Sequence, residues 1–376
     1  MKILGVGETR YVTRSNRSVQ SMGTEAARRA LADSGLRPAD IDGVVPLGGY
    51  LHTEDIIAGL GLSEQCANAL PPPGGNSGVD SLRVARALIE SGQSTAVVIV
   101  LAKNGASEAR ISERLMALPG QQFRTQLERP QGWSSPVEWY AMIARRHMLE
   151  HGTRKEDLAA VSLSAYRFAG NNPRAMQHGK TLTEEQYFAA PMIADPYQLY
   201  DCCLETDGAA AVIATADDVA SPCAVGVAGL ASGRPLSPDD LTNRDDWYQI
   251  GLTFAAPAAY EQAGLGPTDI DAAMIYDCFT FEVIHQLEVA GFCGAGDGGK
   301  FVSSGAIGPG GRLPVNTHGG LLAEGHLTGV NHVVEAVRQL RHEAGANQLP
   351  DVRHVAVTGW GDWGDGSMAI LAAGGR

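Results

Sequence analysis

Tyr276, Asp277, His318 and His326 are the side chains whose types and settings best suit acid–base work on an oxygen atom. Tyr276 closes an apolar run, Ala272–Tyr276, and a phenol with a reference pKa of about 10 is a hydrogen-bond donor at neutral pH. His326 follows a glycine-rich stretch. A neutral imidazole there can donate to an oxygen that is gaining charge, or take a proton. His318 lies in NTHGG, where Gly319 and Gly320 let backbone N–H groups approach a ligand. Each residue also has a structural use. Tyr276 can be a packed aromatic, Asp277 the cap of a helix over 279–290, both histidines satisfied buried rings, and Asn316 a turn-maker. No metal is expected. His318 and His326 have no acidic ligand at helical spacing, and the six cysteines form no CxxC pair or Cys/His cluster. Cys202 and Cys203 are adjacent, a poor geometry for a disulfide, so free thiols and a cytoplasmic location are expected.

These residues need a scaffold, and the sequence shows it as a duplication. Residues 33–45, DSGLRPADIDGVV, align without a gap on 262–274, QAGLGPTDIDAAM. Both follow a helical face, Ala26, Ala27, Ala30 and Leu31 in one case and Ala255, Ala256, Ala259 and Tyr260 in the other. Gly35 and Gly264 stand where a helix C-cap is expected, with Pro38 and Pro267 three residues on. Downstream, helices over 77–91 and 326–343 precede strands over 96–102 and 354–358. This alternation predicts an α/β protein with mixed sheets and helices on both faces. The first half, 1–215, carries an insertion over 103–200 with helices over 136–150 and 155–168; the second half is 216–376.

At 376 residues the chain is long enough for two such units. A net charge of -13 argues against nucleic acid or an anionic membrane as the main partner. The amino-terminal MKILGVGETR is a short strand-like run without signal-peptide anatomy, and the longest apolar run, TAVVIVLA, is far short of a membrane span.

Three stretches, in this order, resemble the thiolase superfamily and its sterol-carrier-protein-type branch: PYQLYDCCLETDGAAAVI (196–213), IYDCFTFEVI (275–284) and NTHGGLLAEGHLTG (316–329). The resemblance implies a duplicated thiolase fold: two mixed five-stranded sheets with helices between and outside them, layered αβαβα. Thiolases carry a nucleophilic cysteine at the start of the helix after the second strand. Here PPPGGNSGVDSLRVA (71–85) puts Gly75 at that position and Gly78 on the motif glycine. Glycine has no side chain, so covalent acyl transfer at that point is excluded. Ser77 is the nearest hydroxyl and reads as the helix N-cap. The second thiolase cysteine is absent too, and Trp360, Asp362, Trp363 and Asp365 occupy that loop.

This pattern is similar to the steroid side-chain aldolases, which lack the cysteine and cleave a β-hydroxyacyl-CoA by a retro-aldol reaction. Such cleavage needs a base for the β-hydroxyl and donors for the thioester enolate oxygen. The resemblance therefore implies Tyr276, His326, Asp277 and His318 as catalytic residues. It implies Gly75, Asn316, Gly319, Gly320 and Trp363 against the substrate, a coenzyme A thioester, with no further cofactor. In those aldolases a second tyrosine follows NTHGG, whereas this chain has His326 in a thiolase-like arrangement. A cysteine-free acyltransferase and a non-catalytic acyl-CoA-binding subunit stand as alternatives. The resemblance further implies a homodimer, paired through VVIVLA, and a small zinc-ribbon/OB-fold partner on a separate chain. Because Gly75 holds the nucleophile position, Cys→Ala at each of the six cysteines is expected to leave part of the turnover. Complete loss in one folded variant, with an acyl-thioester trapped on the wild type, would reverse this.

Overall fold

A computed structural model describes residues 1–47, 51–108, 113, 124–133, 135–219, 221, 223–235, 244–361 and 364–374. The first half runs β1 (Lys2–Glu8), α1 (Val19–Ser34), β2 (Gly43–Leu47), α2 (Thr53–Leu60), β3 (Ala67–Asn68), α3 (Ser77–Glu90) and β4 (Ala96–Asn104). The insertion contributes α4 (Pro136–His151), α5 (Lys155–Asn171), α6 (Glu184–Phe188) and the hairpin β5 (Met192–Ala194) and β6 (Tyr197–Gln198), before β7 (Asp207–Thr215). The second half runs β8 (Val225–Gly233), α7 (Gly251–Ala263), β9 (Ala272–Met274), α8 (Thr280–Val289), α9 (Gly298–Ser303), α10 (Gly320–Ala323), α11 (Val330–Arg341), β10 (His354–Trp360) and β11 (Gly366–Ala373).

The duplication is structural in detail. Gly35 and Gly264 end α1 and α7 in the left-handed region, with φ of 74° and 66°. A short 3-10 turn follows each, Pro38–Asp40 and Pro267–Asp269. The next aspartates then do the same work. Asp42 accepts from Thr95 N and Ala96 N at 2.8 and 2.9 Å, and Asp271 accepts from Arg353 N and His354 N at 2.8 and 2.9 Å. Each carboxylate thus latches the foot of one strand to the foot of its parallel neighbour, β2 to β4 and β9 to β10.

The strands run β3-β2-β4-β7-β1 in the first half and β8-β11-β10-β9 in the second. Among the described residues, the place of a fifth second-half strand is taken by a bridge from Ala273 to Val315. The residue pairs Lys2–Gly226 and Ile3–Val225 join β1 to β8 and make the half-sheets continuous. Helices α3 and α11 lie between the half-sheets: Val79, Leu82, Val333 and Val337 pack with Val45 and Val97 on one side and Val355 and Leu371 on the other. α1 covers the outer face of the first half, and α7 that of the second. The five layers expected from the thiolase resemblance are present. Insertion residues Tyr140, Ile143, Leu158 and Val161 join the same core as Ile284 and Ile370 of the second half.

Two expectations are corrected. VVIVLA, proposed as the dimer strand, lies in β4, which is bonded along its length to β2 and β7; the outer strand is β3. Strand order is set by non-local pairing, so an apolar run alone does not distinguish an edge from a centre. Ser77 is not the N-cap of α3: it sits in the first turn, its hydroxyl donating to Gly74 O at 2.7 Å, and Asn76 takes the cap position. Among the described residues no helix is long and apolar enough to cross a membrane. Hydrogen bonds to a charged group contribute about 1.5–3 kcal/mol. Asp42→Ala and Asp271→Ala should therefore each lower stability by about 2 kcal/mol. A urea midpoint unchanged in both variants would refute the latch.

Candidate active site

The first-half contribution is a glycine and the space it leaves. A Cβ on Gly75 would lie 2.5 Å from both Cζ and Oη of Tyr276, and closer still to the carbonyl oxygen of Trp360. The phenol therefore fills the volume into which a nucleophile at this position would project. Gly78, one turn further along α3, allows a close crossing: a Cβ there would come within 2.7 Å of the carbonyl carbon of Gly329. That crossing brings the start of α3 against the loop that carries His326.

Tyr276 follows β9 and is almost buried, at 4% exposure. Its backbone is pinned on both sides. Its N–H donates to Thr358 Oγ1 at 3.3 Å, and Gln286 Nε2 donates to its carbonyl at 2.7 Å. Thr358 in turn donates to Gln286 Oε1 at 2.7 Å, closing the ring of contacts. His326 lies in the loop between α10 and α11, not at a helix start as expected, because Thr328 and Gly329 take positive φ values of 52° and 82° and delay α11 to Val330. Its N–H donates to Thr206 Oγ1 at 2.9 Å. Tyr276 Oη and His326 Nε2 are 3.2 Å apart, and Cys203 Sγ is 3.7 Å from His326 Nδ1. The structure thus brings together Gly75, Tyr276 and His326, which are far apart in sequence.

Asp277 and His318 are not beside that pair. Asp277, expected to cap the helix that follows it, instead accepts from Leu321 N at 2.8 Å and Leu322 N at 3.4 Å, capping α10. Burial pushes its carboxyl up, against those amides and His332, whose Nε2 is 3.3 Å from Oδ1. His318 is fully enclosed, with Nε2 2.8 Å from His332 Nδ1, and burial holds it well below the usual histidine range. The ring of His332 is edge-on to both Tyr276 and His318, at 6.5 and 4.9 Å between centroids. Glu324 closes the network: it accepts from Asn172 Nδ2 at 2.8 Å and Asn331 Nδ2 at 3.0 Å, and burial followed by the charge of Glu8 raises it well above the carboxylate range. His332 and Glu324 were missed in the sequence, where they sit inside apolar or glycine-rich stretches.

The expected substrate-binding residues divide. Asn316 commits its amide to the backbone of Ile275, accepting from N at 2.7 Å and donating to O at 2.8 Å. Gly319 and Gly320 make room for protein rather than a ligand: a Cβ on the first would be 2.6 Å from Ala169 Cβ, and one on the second would strike Asp277 Oδ2. Their positive φ values, 108° and 64°, suit glycine for the same turn. Trp363 lies outside the described residues. Trp360 is buried, its ring edge-on to Tyr140 at 5.3 Å.

With this geometry in place, similarity to known proteins is informative. A family model described as thiolase C-terminal domain-like matches residues 233–373. The 17-hydroxy-3-oxo-4-pregnene-20-carboxyl-CoA lyase of Mycobacterium tuberculosis is 36% identical over 373 residues, covering 95% of each chain. An acetyl-CoA acetyltransferase of Methanothermobacter thermautotrophicus is 34% identical over 366 residues, covering 92% of each. The solved structure of an Ltp2-ChsH2(DUF35) aldolase superposes with a TM-score of 0.91 at 32% identity, over 99% of this chain and 97% of that one. The filled volume beside Gly75 gives a direct test against thiolase-type chemistry. Gly75→Cys is expected to form no acyl-enzyme with acyl-CoA by mass spectrometry and to lose about 1–3 kcal/mol of stability from overpacking. A trapped thioester at position 75 in a fully stable variant would overturn the exclusion. By its motifs, its fold and these full-length similarities, the chain belongs to the thiolase superfamily, in the sterol-carrier-protein-type branch, as a thiolase-like enzyme without the nucleophilic cysteine.

Proposed function

We propose that the protein is a carbon–carbon lyase that cleaves a β-hydroxyacyl-CoA by a retro-aldol reaction. As a thiolase-like enzyme it makes or breaks a carbon–carbon bond in an acyl-CoA, and the direction and acyl class are our reading. The observation that carries it is the Tyr276 hydroxyl, set in the nucleophile's volume beside Gly75 and 3.2 Å from His326 Nε2. Such a pair can move a proton and hold a developing oxygen charge, and no thiolate stands at the nucleophile position beside it. In the cleavage the β-hydroxyl proton leaves to a base and its O–H electron pair becomes the new carbonyl. The Cα–Cβ bond breaks, its pair enters the thioester enolate, and a proton returns to Cα. Asp277, His318 and His332 act on this pair as a buried support for its loops.

The similarity to an acetyltransferase favours acyl transfer as the second reading. In the thiolase manner its covalent form uses a thiolate, and Cys203, 3.7 Å from His326, has a thiol that burial pushes up. Mass spectrometry after mixing with acyl-CoA distinguishes the two readings. We also propose a homodimer in a reducing cytoplasm, consistent with six free thiols. A small zinc-ribbon/OB-fold protein is the proposed partner, since the similar aldolase was solved together with ChsH2(DUF35).

Loss of an oxyanion donor or acid–base group typically costs about 10²-fold or more in rate. Tyr276→Phe and His326→Ala are each expected to slow cleavage of a β-hydroxyacyl-CoA by that much while far-UV circular dichroism stays unchanged. Full turnover in either variant would remove that residue from the chemistry.

A further inference from the structure

We propose that Asp365 stands as a neutral carboxylic acid and is a positioning residue: by donating to the Asn76 amide it fixes the Gly75 end of α3, and its ionisation at alkaline pH lowers turnover. The hydrogen-bond half of this stands on geometry, and the turnover half rests on the retro-aldol reading. Asp365 lies in the turn between β10 and β11 and is 2% exposed. Gly361 leaves room for its carboxyl, since a Cβ there would lie 2.6 Å from Cγ of Asp365. Gly361 follows Trp360, whose carbonyl walls the volume beside Gly75. Asn76 sets Nδ2 2.9 Å from Asp365 Oδ2 and Oδ1 2.6 Å from Ser367 Oγ. The contacts continue outward. Ser367 Oγ is 2.9 Å from Ser232 Oγ, across the paired strands β11 and β8, and Ser232 Oγ is 2.5 Å from Asp80 Oδ1 on α3.

Counting hydrogens along this chain decides the state of Asp365. The two ends of a carboxamide share one outline, so the hydrogens available settle which end faces which neighbour. Asp80 uses both oxygens to accept from Arg83, at 2.7 and 3.0 Å, so Ser232 donates to it. The contact between the serines then needs the Ser367 hydrogen, and Asn76 has to donate to Ser367 with its NH2 end. The amide oxygen is left facing Asp365 Oδ2, and the hydrogen between them comes from the carboxyl. Four contacts are served by four hydrogens. With Asp365 ionised the amide turns over, Ser367 donates to Asn76, and the serine oxygens meet at 2.9 Å with no hydrogen between them. Burial points the same way. Oδ1 of Asp365 has no hydrogen-bond partner among the described residues, and a buried charge without pairing is destabilising. Around the carboxyl stand Asp80 and Arg83 of α3, Arg234 after β8, Arg244 against Gly364, and Tyr140 of α4, whose hydroxyl donates to Gly361 O at 3.4 Å. Burial is the largest influence and raises the carboxyl; Asn76 and Arg234 oppose it, and Asp80 adds to it. Asn76 follows Gly75 and takes the cap position of α3, so the proton on Asp365 sets how that peptide is held against Tyr276. Asp365 touches no reacting atom in this scheme.

The test compares the full-length protein with Asp365→Asn, which cannot ionise and keeps a donor toward Asn76. In infrared difference spectra at neutral pH, without substrate, wild type minus variant is expected to show the carbonyl stretch of a protonated carboxyl. A carboxylate band in its place overturns the proposal. Stability gives a second readout. A carboxyl whose pKa rises on folding supports the fold in acid, and that support is lost as pH climbs from the ordinary carboxylate range through the folded value. Asp365→Asn escapes this loss, so it should match the wild-type urea midpoint in acid and exceed it at alkaline pH. A midpoint that never exceeds wild type overturns the proposal. So does failure of Asp365→Asn to fold, because a neutral donor is what the proposal places there. In the cleavage assay, Asp365→Asn should retain most of kcat at neutral pH and lose the alkaline fall at an unchanged KM. Asp365→Leu, with no donor, should lower kcat about tenfold, the scale of one modest hydrogen bond. An alkaline fall identical in wild type and Asp365→Asn removes the positioning role. Absence of cleavage by wild type would instead sink the retro-aldol reading, with the infrared and stability results standing separately.

Discussion

Two groups cannot share the volume beside Gly75. The Tyr276 phenol and the Trp360 carbonyl already occupy the place where any side chain at that position would begin. Everything near the reacting centre is arranged around this exclusion. The backbone of the tyrosine is held from behind by Thr358 and Gln286, which fixes the point from which its side chain projects. The start of α3 must present bare backbone toward it, and Gly78 lets that helix lie against the loop leading into α11. The divergence from thiolases is thus more than a deleted sulfur: the vacated room has been filled from the other half of the molecule by a group with different chemistry.

Beneath the pair lies a dense set of buried ionisable groups. Asp277, His332 and His318 form a chain of contacts, and Glu324 and Glu335 sit near it with carboxyl groups that burial pushes up. Arg338 and Arg174 supply positive charge, pairing with Glu8 and Glu335. Unpaired buried charges are destabilising, so these groups have to be satisfied together. The result ties α5, α10, α11 and β1 into one polar core and makes the loops of Tyr276 and His326 rigid relative to one another. Rigid placement at hydrogen-bond distance is what acid–base catalysis requires.

Much of the fold was legible because its signals are local. The capping glycines, the prolines that follow them and the apolar helix faces all depend on neighbours within a few residues, and the matched aspartates exposed the duplication. The Tyr276–His326 pairing was legible only through family resemblance, since nothing local relates residues 50 positions apart. What escaped was set by tertiary contact. β4 reads as an apolar strand whether it lies inside or at an edge. Asp277 reads as a cap for the helix after it, yet the amide it caps lies 44 residues further on. His332 looks like an incidental polar residue on an apolar helix until Asp277 and His318 are brought against it.

The Asp42 and Asp271 latches stand at the feet of their strands, whereas Tyr276 follows the opposite end of β9. Architecture and reactivity are therefore physically segregated along a strand a few residues long. A lineage can rewrite one terminus, exchanging nucleophile for phenol or phenol for something else, without loosening the clamp that fixes strand register at the other. The two copies inherited by duplication preserve the clamp in both halves, while the first-half residue that matches Tyr276 is Leu47. Innovation in such a molecule is easy at the rim and forbidden at the base, which is how one ancient scaffold can change reaction class and remain recognisable.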